Sequence, residues 1–254
     1  MNVIFNADDF GLSKGVTLGI IESYRNGPVR STTIMAGMPG FEHAVELSSD
    51  YPGLKIGVHL TLTGGGKSVG GAYKTLTDGN GRFLPCAEVE RMAKTGAIDL
   101  QEVESEYEAQ IQKVLAAGIN PDHFDSHHHT HMLPGIFMVF LKLVRKYEVS
   151  ARINDKGLLP REYEGISTTD AFSDGFYNKT ATPDDLRRIL SNCGGDSIEI
   201  MCHPAYVDHH LLSLSSYNTG RTNELQILTS LETADFMASH GIKPCSFCDI
   251  RDRS

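Results

Sequence analysis

No apolar run in the 254 residues approaches the ~18 that a membrane span requires. Basic runs and basic helices are also missing and the net charge is −9, which argues against a nucleic acid or an anionic membrane as partner. Cysteine is sparse and odd in number, five in all, so a disulfide framework is not expected. Cys245 and Cys248 form a C-x-x-C, but a redox motif needs a βαβ context with a following helix, and a zinc site needs a second pair. Two buried thiols on the last strand are the expectation. Met1 to Phe5 lack the basic start and cleavage site of a signal peptide, so a cytoplasmic location is expected. Neither an internal repeat nor a Pro- or Ser-rich linker divides the chain, which reads as one domain over 1–254.

Histidine, by contrast, is concentrated. Five of the eleven histidines, with one aspartate, fall within nine residues from His123 to His131. A purification tag would sit at a terminus without interruption by Asp, Ser and Thr. Imidazole is the commonest side-chain ligand of transition metals, so a metal-centred active site is the reading to test.

Strand-like runs at 3–7, 31–36, 55–62, 123–126, 151–154, 168–172, 197–203 and 244–249 alternate with helix-like segments at 16–25, 103–117, 186–190 and 225–240. Thr182-Pro183-Asp184-Asp185 supplies a cap, a proline at the first helical position and acids that suit the helix dipole. About eight strands alternating with helices predict an α/β fold with a parallel sheet, a (β/α) barrel of the TIM type being the leading architecture. The glycine-rich stretch 63–85 reads as an insertion and a candidate active-site lid. Its Gly66-Lys67-Ser68 is not a phosphate loop, because Thr61 stands where that motif needs glycine.

Acids and imidazoles stand where the apolar runs end: Asp8-Asp9 after Val3 to Ala7, His59 after Ile56 to Val58, the histidine cluster after Phe124-Asp125, and His203 after Ile198 to Cys202. The carboxyl ends of barrel strands build active sites, so four strands would deliver these groups to one rim. Adjacent carboxylates repel, and a cation relieves that by taking one while the other accepts a proton from water. The competing reading of Asp8-Asp9 is a helix N-cap pair. One carboxylate and two imidazoles leave positions for water and substrate, as hydrolysis requires.

Asn6-Ala7-Asp8-Asp9-Phe10-Gly11-Leu12-Ser13, Gly57-Val58-His59-Leu60, Asp125-Ser126-His127-His128-His129 and Glu199-Ile200-Met201-Cys202-His203-Pro204 resemble the YdjC-like carbohydrate deacetylases, and within them the chitooligosaccharide (diacetylchitobiose) deacetylases. The likeness extends to Arg221, Glu224 and the segment 225–230. It implies a barrel of the glycoside hydrolase/deacetylase superfamily, often homodimeric, acting on a small N-acetylglucosamine oligosaccharide, with or without a 6-phosphate. It also implies one divalent cation, given as Mg2+, held by Asp9, His59 and His127. Asp8 would be the general base and His203, as imidazolium, the general acid. An Asp-His-His set suits Zn2+, Mn2+, Co2+ or Ni2+ better than Mg2+, which prefers oxygen ligands.

Asp125, two residues before His127, is expected to fix the tautomer of a ligand imidazole. If the strand continued past Ser126, alternation would put His127, His129 and His131 on one face and turn His128 away. Arg152 and Arg221 are candidates to orient a carboxylate or contact a sugar or phosphate; for Arg152 a surface ion pair is the stronger expectation. Three other readings stay open. A metal-dependent phosphoesterase would use more bridging carboxylates, a glycoside hydrolase would need no histidine cluster, and a non-catalytic metal- or sugar-binding protein would bind without turnover.

Overall fold

A computed structural model describes residues 1–251. In chain order the elements are β1 (Asn2–Phe10), α1 (Lys14–Asn26), β2 (Ser31–Ile34), α2 (Phe41–Ser48), β3 (Lys55–Leu60), α3 (Cys86–Thr95), α4 (Leu100–Ala116), β4 (His123–Ser126), α5 (Ile136–Tyr147), β5 (Ser150–Ala151), β6 (Ala171–Ser173), α6 (Pro183–Ser191), β7 (Ser197–Cys202), α7 (His209–Leu214), α8 (Thr219–Leu228), α9 (Leu231–Ser239), β8 (Lys243–Cys245) and α10 (Phe247–Arg251). None of the helices is long and apolar enough to cross a membrane.

The strands form one parallel sheet in the order β5-β4-β3-β2-β1-β7-β6, with β8 paired to the start of β1. A closed barrel would need β5 to pair with β6, and no such ladder forms among the described residues. The predicted barrel is therefore an open, curled half-barrel. β5 has two residues and β6 three, and between them the chain turns through short 3-10 segments at Lys156–Leu158 and Arg161–Tyr163. One backbone hydrogen bond, Ala151 N–H to the Ser167 carbonyl at 2.9 Å, crosses the seam. Side chains do the rest. Arg152, just past β5, reaches Glu199 on β7 at 2.7 Å. In a flat sheet those strands, five places apart, would lie roughly 24 Å from each other at ~4.8 Å per strand, so the sheet must curl.

Alternation sorts the strand residues between two faces. Val3, Phe5, Ala7, Ile56, Val58, Phe124, Ile198 and Ile200 join the main core with the helices. Inside the curl, Ile4, Cys245, Phe247 and Ile250 form a separate apolar plug. Above it lie polar groups on the same strands: Asn6, Thr33, His59, His123, Asp125 and Glu199, all buried. Gly57 on β3 is part of this arrangement, because a Cβ there would sit 2.5 Å from the His123 ring.

Two boundaries differ from expectation. The last strand stops at Cys245 and the chain enters α10, which leaves Cys245 buried but Cys248 half-buried, its Sγ 3.4 Å from Asp122 Oδ2. The long helix at 225–240 is two helices, broken where Ser230 caps α9 through the Thr233 N–H. The segment 63–85 is tied down by α4: Glu106 accepts from the N–H groups of Val69 and Gly70, and Glu102 from those of Lys74 and Thr75.

Candidate active site

Asp8 and Asp9 are both part of β1, where neighbours should face opposite ways. A bulge prevents this. Between Ala7 and Phe10, β1 has one residue more than the Thr32-to-Ile34 stretch it pairs with. Asp9 takes up the extra residue at φ 73°, left-handed backbone that costs a non-glycine residue on the order of 1 kcal/mol or more. Both carboxylates then line one cavity of about 290 Å3. They are not a helix cap; Ser13 caps α1.

Asp9 Oδ1 lies 3.3 Å from His59 Nε2 and 3.0 Å from His127 Nδ1, and Asp9 Oδ2 accepts from Arg221 Nη2 at 2.7 Å. Burial would raise the Asp9 pKa, but Arg221, with His127, holds it well below the usual carboxylate range. Asp125 Oδ1 sits 2.7 Å from His59 Nδ1, which turns Nε2 toward Asp9. Burial alone would depress His59; Asp125 first, then Asp8, outweigh it and raise the ring to about 10.

His127 opens a 3-10 turn, not a strand continuation, and His128 and His129 both have left-handed backbone at φ 56° and 52°. The expected alternation therefore fails. His127, His128 and His129 all line the cavity, and His128 stacks against His127 with centroids 3.8 Å apart. His128 Nδ1 pairs with Thr63 Oγ1 at 2.9 Å. His131 is buried away from the cavity, with Nδ1 2.6 Å from Ser126 Oγ and its ring against Phe140. Burial, reinforced by neighbouring cations, pushes His128 down to about 3 and His129 to about 4.

Asp8 is gripped by Arg152, whose Nη1 and Nη2 each donate at 2.7 Å. Arg152 is fully buried and also meets Asp125 at 3.0 Å and Glu199 at 2.7 Å, so the expected surface ion pair is instead a buried hub for three carboxylates. Burial opposes ionisation of Asp8, and Arg152 overrides it, leaving the carboxyl ionised far below neutral pH. Asn6 Nδ2 adds a 2.9 Å hydrogen bond to Asp8 Oδ1.

His203, just past β7, faces the same cavity, and its backbone N–H donates to Glu224 Oε2 on α8. Tyr217 O–H donates to Glu224 Oε1. Burial first, then Arg221, pushes the His203 ring down to about 3, which favours the neutral imidazole over the imidazolium that the resemblance implies. Burial raises Glu224 to about 8. The structure thus brings Asp8, Asp9, His59, His127, His129, His203 and Arg221 to one cavity, with Asp125 buried behind His59. Sequence reasoning gave no role to Tyr177, Tyr217 or Asp174, which line it from loops with no motif of their own. Glu199 could have been noticed as the one acid in the run Ser197–Cys202.

The donor set fits a divalent cation. Asp9 Oδ1 is buried with no hydrogen-bond donor aligned on it, although two imidazole nitrogens converge there. One ring nitrogen each from His59 and His127 and one oxygen of Asp9 lie within 4.8 Å of one another. Separations of 3.0 and 3.3 Å are those expected between ligands whose bonds to a shared metal are about 2.1 Å.

The family profile described as YdjC-like protein matches residues 2–239. A carbohydrate deacetylase from Clostridium beijerinckii is 40% identical over 252 residues, and carbohydrate deacetylase 1 from Listeria innocua 42% over 252; each covers 98% of this chain and 100% of the relative. A crystal structure from Enterococcus faecalis, provisionally described as a cellobiose-phosphate cleavage protein, has a TM-score of 0.88 at 33% identity over 98% of both chains.

Proposed function

The chain belongs to the YdjC-like protein family, and from that premise we propose that it is a carbohydrate deacetylase hydrolysing the N-acetyl group of an N-acetylglucosamine oligosaccharide to release acetate. The observation that carries this reading is the convergence of His59 and His127 on the unpartnered Asp9 Oδ1, beside a second, ionised aspartate. The curated relatives named as carbohydrate deacetylases support the reaction class.

Asp9, His59 and His127 would hold the cation. When bound, a divalent cation supplies Lewis acidity that lowers the pKa of water and polarises an acyl carbonyl. Asp8, kept ionised by Arg152 and aimed by Asn6, accepts the proton of the attacking water. His203, lining the same cavity, delivers a proton to the departing sugar nitrogen. Asp125 fixes His59 with Nε2 forward, and Arg221 fixes Asp9. Two imidazoles in the ligand set favour Zn2+, Mn2+, Co2+ or Ni2+ over Mg2+.

The direct test is acetate release from diacetylchitobiose and from its 6-phosphate by metal-stripped protein resupplied with one cation at a time. The phosphorylated arm answers to the description of the Enterococcus faecalis protein. Release of acetate from either sugar, dependent on an added cation, is the expected result. Phosphate release without acetate in any arm would turn the assignment to a phosphoesterase.

A further inference from the structure

Glu224 is a buried acid to which the mechanism above gives no part. It lies on α8 one turn beyond Arg221, the residue that fixes Asp9, so one helix braces both Asp9 and His203. Its hydrogen bonds can be counted atom by atom. Oε2 accepts the His203 backbone N–H at 2.5 Å. Oε1 accepts the Tyr217 O–H, and the Tyr217 oxygen in turn accepts the Asn178 N–H at 2.9 Å. Every neighbour bonded to Glu224 is thus a donor. The nearest ring acceptor is His203 Nδ1, buried, without a hydrogen-bond partner, and 3.8 Å from Glu224 Oε1.

We propose that Glu224 is a positioning residue that acts through His203: protonated on Oε1, it supplies His203 Nδ1 with a proton while His203 Nε2–H gives its own to the departing nitrogen. The inference rests on the deacetylase reading. Burial of Glu224, which favours the neutral carboxylic acid, agrees with it. So does the neutral state of the His203 ring, which by itself would be a poor acid for an amine leaving group.

The step balances. Water oxygen bonds to the acyl carbon and its proton goes to Asp8. The carbon–nitrogen bond breaks with its electron pair left on nitrogen, and that pair takes the proton of His203 Nε2. His203 Nδ1 takes the proton of Glu224 Oε1, so the imidazole ends neutral in its other tautomer. The new carboxylate is received by donors already in place, Tyr217 O–H and the His203 N–H. Closing 3.8 Å to hydrogen-bond length needs a rotation of the His203 ring and leaves the backbone bond to Glu224 intact.

The test compares two acetyl donors that differ in their need for an acid. An N-acetyl sugar needs its nitrogen protonated; p-nitrophenyl acetate, with a good leaving group, does not. Holoenzyme carrying Glu224→Gln is expected to lose roughly 100-fold or more in kcat on the sugar relative to the ester, in line with general-acid catalysis. Glu224→Asp should recover part of that ratio. Tyr217→Phe, which keeps the ring and removes one donor to Oε1, should lower the ratio several-fold and keeps the test decisive if Glu224→Gln folds poorly. Equal losses on both substrates, or no loss on the sugar, overturn the proposal and leave Glu224 a structural anchor of His203. Absence of acetate release from any N-acetyl sugar by the wild-type protein would instead overturn the deacetylase reading.

Discussion

Arg152 holds Asp8 with both terminal nitrogens at 2.7 Å, joining the seam beside β5 to β1, four places away in the sheet. One guanidinium thereby does two things: it keeps the candidate base ionised and it closes an opening that the backbone does not. Removing it would leave Glu199 buried without a counter-charge and Asp8 and Asp125 sharing only the His59 imidazolium. Arg152→Met is therefore expected to lower stability by about 3–5 kcal/mol. Arg152→Lys should recover little, because an ammonium cannot make the paired contact. Urea denaturation of the three proteins measures this, and a near-neutral Arg152→Met would remove Arg152 from its role as hub.

Asp8→Asn keeps the shape and removes the proton acceptor. Cation binding should survive, since Asp9, His59 and His127 remain, while kcat for acetate release falls roughly 100- to 10,000-fold. Metal analysis beside an acetate assay separates the two. Full activity in this variant would sink the assignment of the base.

Cation binding should itself depend on pH. With no cation present, Asp125 and Asp8 overcome burial and hold a proton on His59 up to about pH 10. A cation taken up on Nε2 must displace that proton, so affinity should rise with pH by up to about tenfold per unit below that value. Calorimetry in two buffers of different ionisation enthalpy should show about one proton released per cation bound. His59→Ala and His127→Ala should each lose bound metal and acetate release together.

Gly64 sits at φ +85°, and a Cβ there would lie 3.0 Å from the Nε2 and Cδ2 atoms of His127. Gly64→Ala combines backbone strain with a push on a candidate ligand. Weaker cation affinity, by roughly tenfold, is expected with a loss of global stability of only about 1 kcal/mol. Titration of the variant with cation, followed by thermal melting, checks both. Unchanged affinity would show that the His127 ring can give way.

Glu224 supplies a stability signature. Its folded pKa, about 8, is raised from 4.5, so the stabilisation it permits is complete below the unfolded value and is lost as pH rises toward the folded one. Each pH unit in that window costs up to about 1.4 kcal/mol. The Glu224→Gln variant should gain on the wild type between pH 5 and 8 in denaturant titrations. Parallel curves for the two proteins would mean that Glu224 is ionised in the folded state as it is in the unfolded one.

What the sequence determined by itself was the alternation of strands and helices, the parallel sheet, and the residues that end the strands: Asp8-Asp9, His59, His127 and His203 are legible because polar groups interrupt apolar runs at a recurring place. Tertiary structure decided how they face one another. Alternation alone would have set Asp8 and Asp9 on opposite faces; a bulge with Asp9 in left-handed backbone puts them in one cavity. The same pattern would have aligned His127 with His131, but a 3-10 turn keeps the first at the cavity and sends the other into the core. Arg152 and Glu224 carry no local mark of their roles, since their partners lie 144 and 21 residues away in the chain. Periodicity reports which face of an element is buried. The direction of a carboxylate depends on φ at one residue and on charges brought to it from distant strands, and those exist only once the sheet has curled.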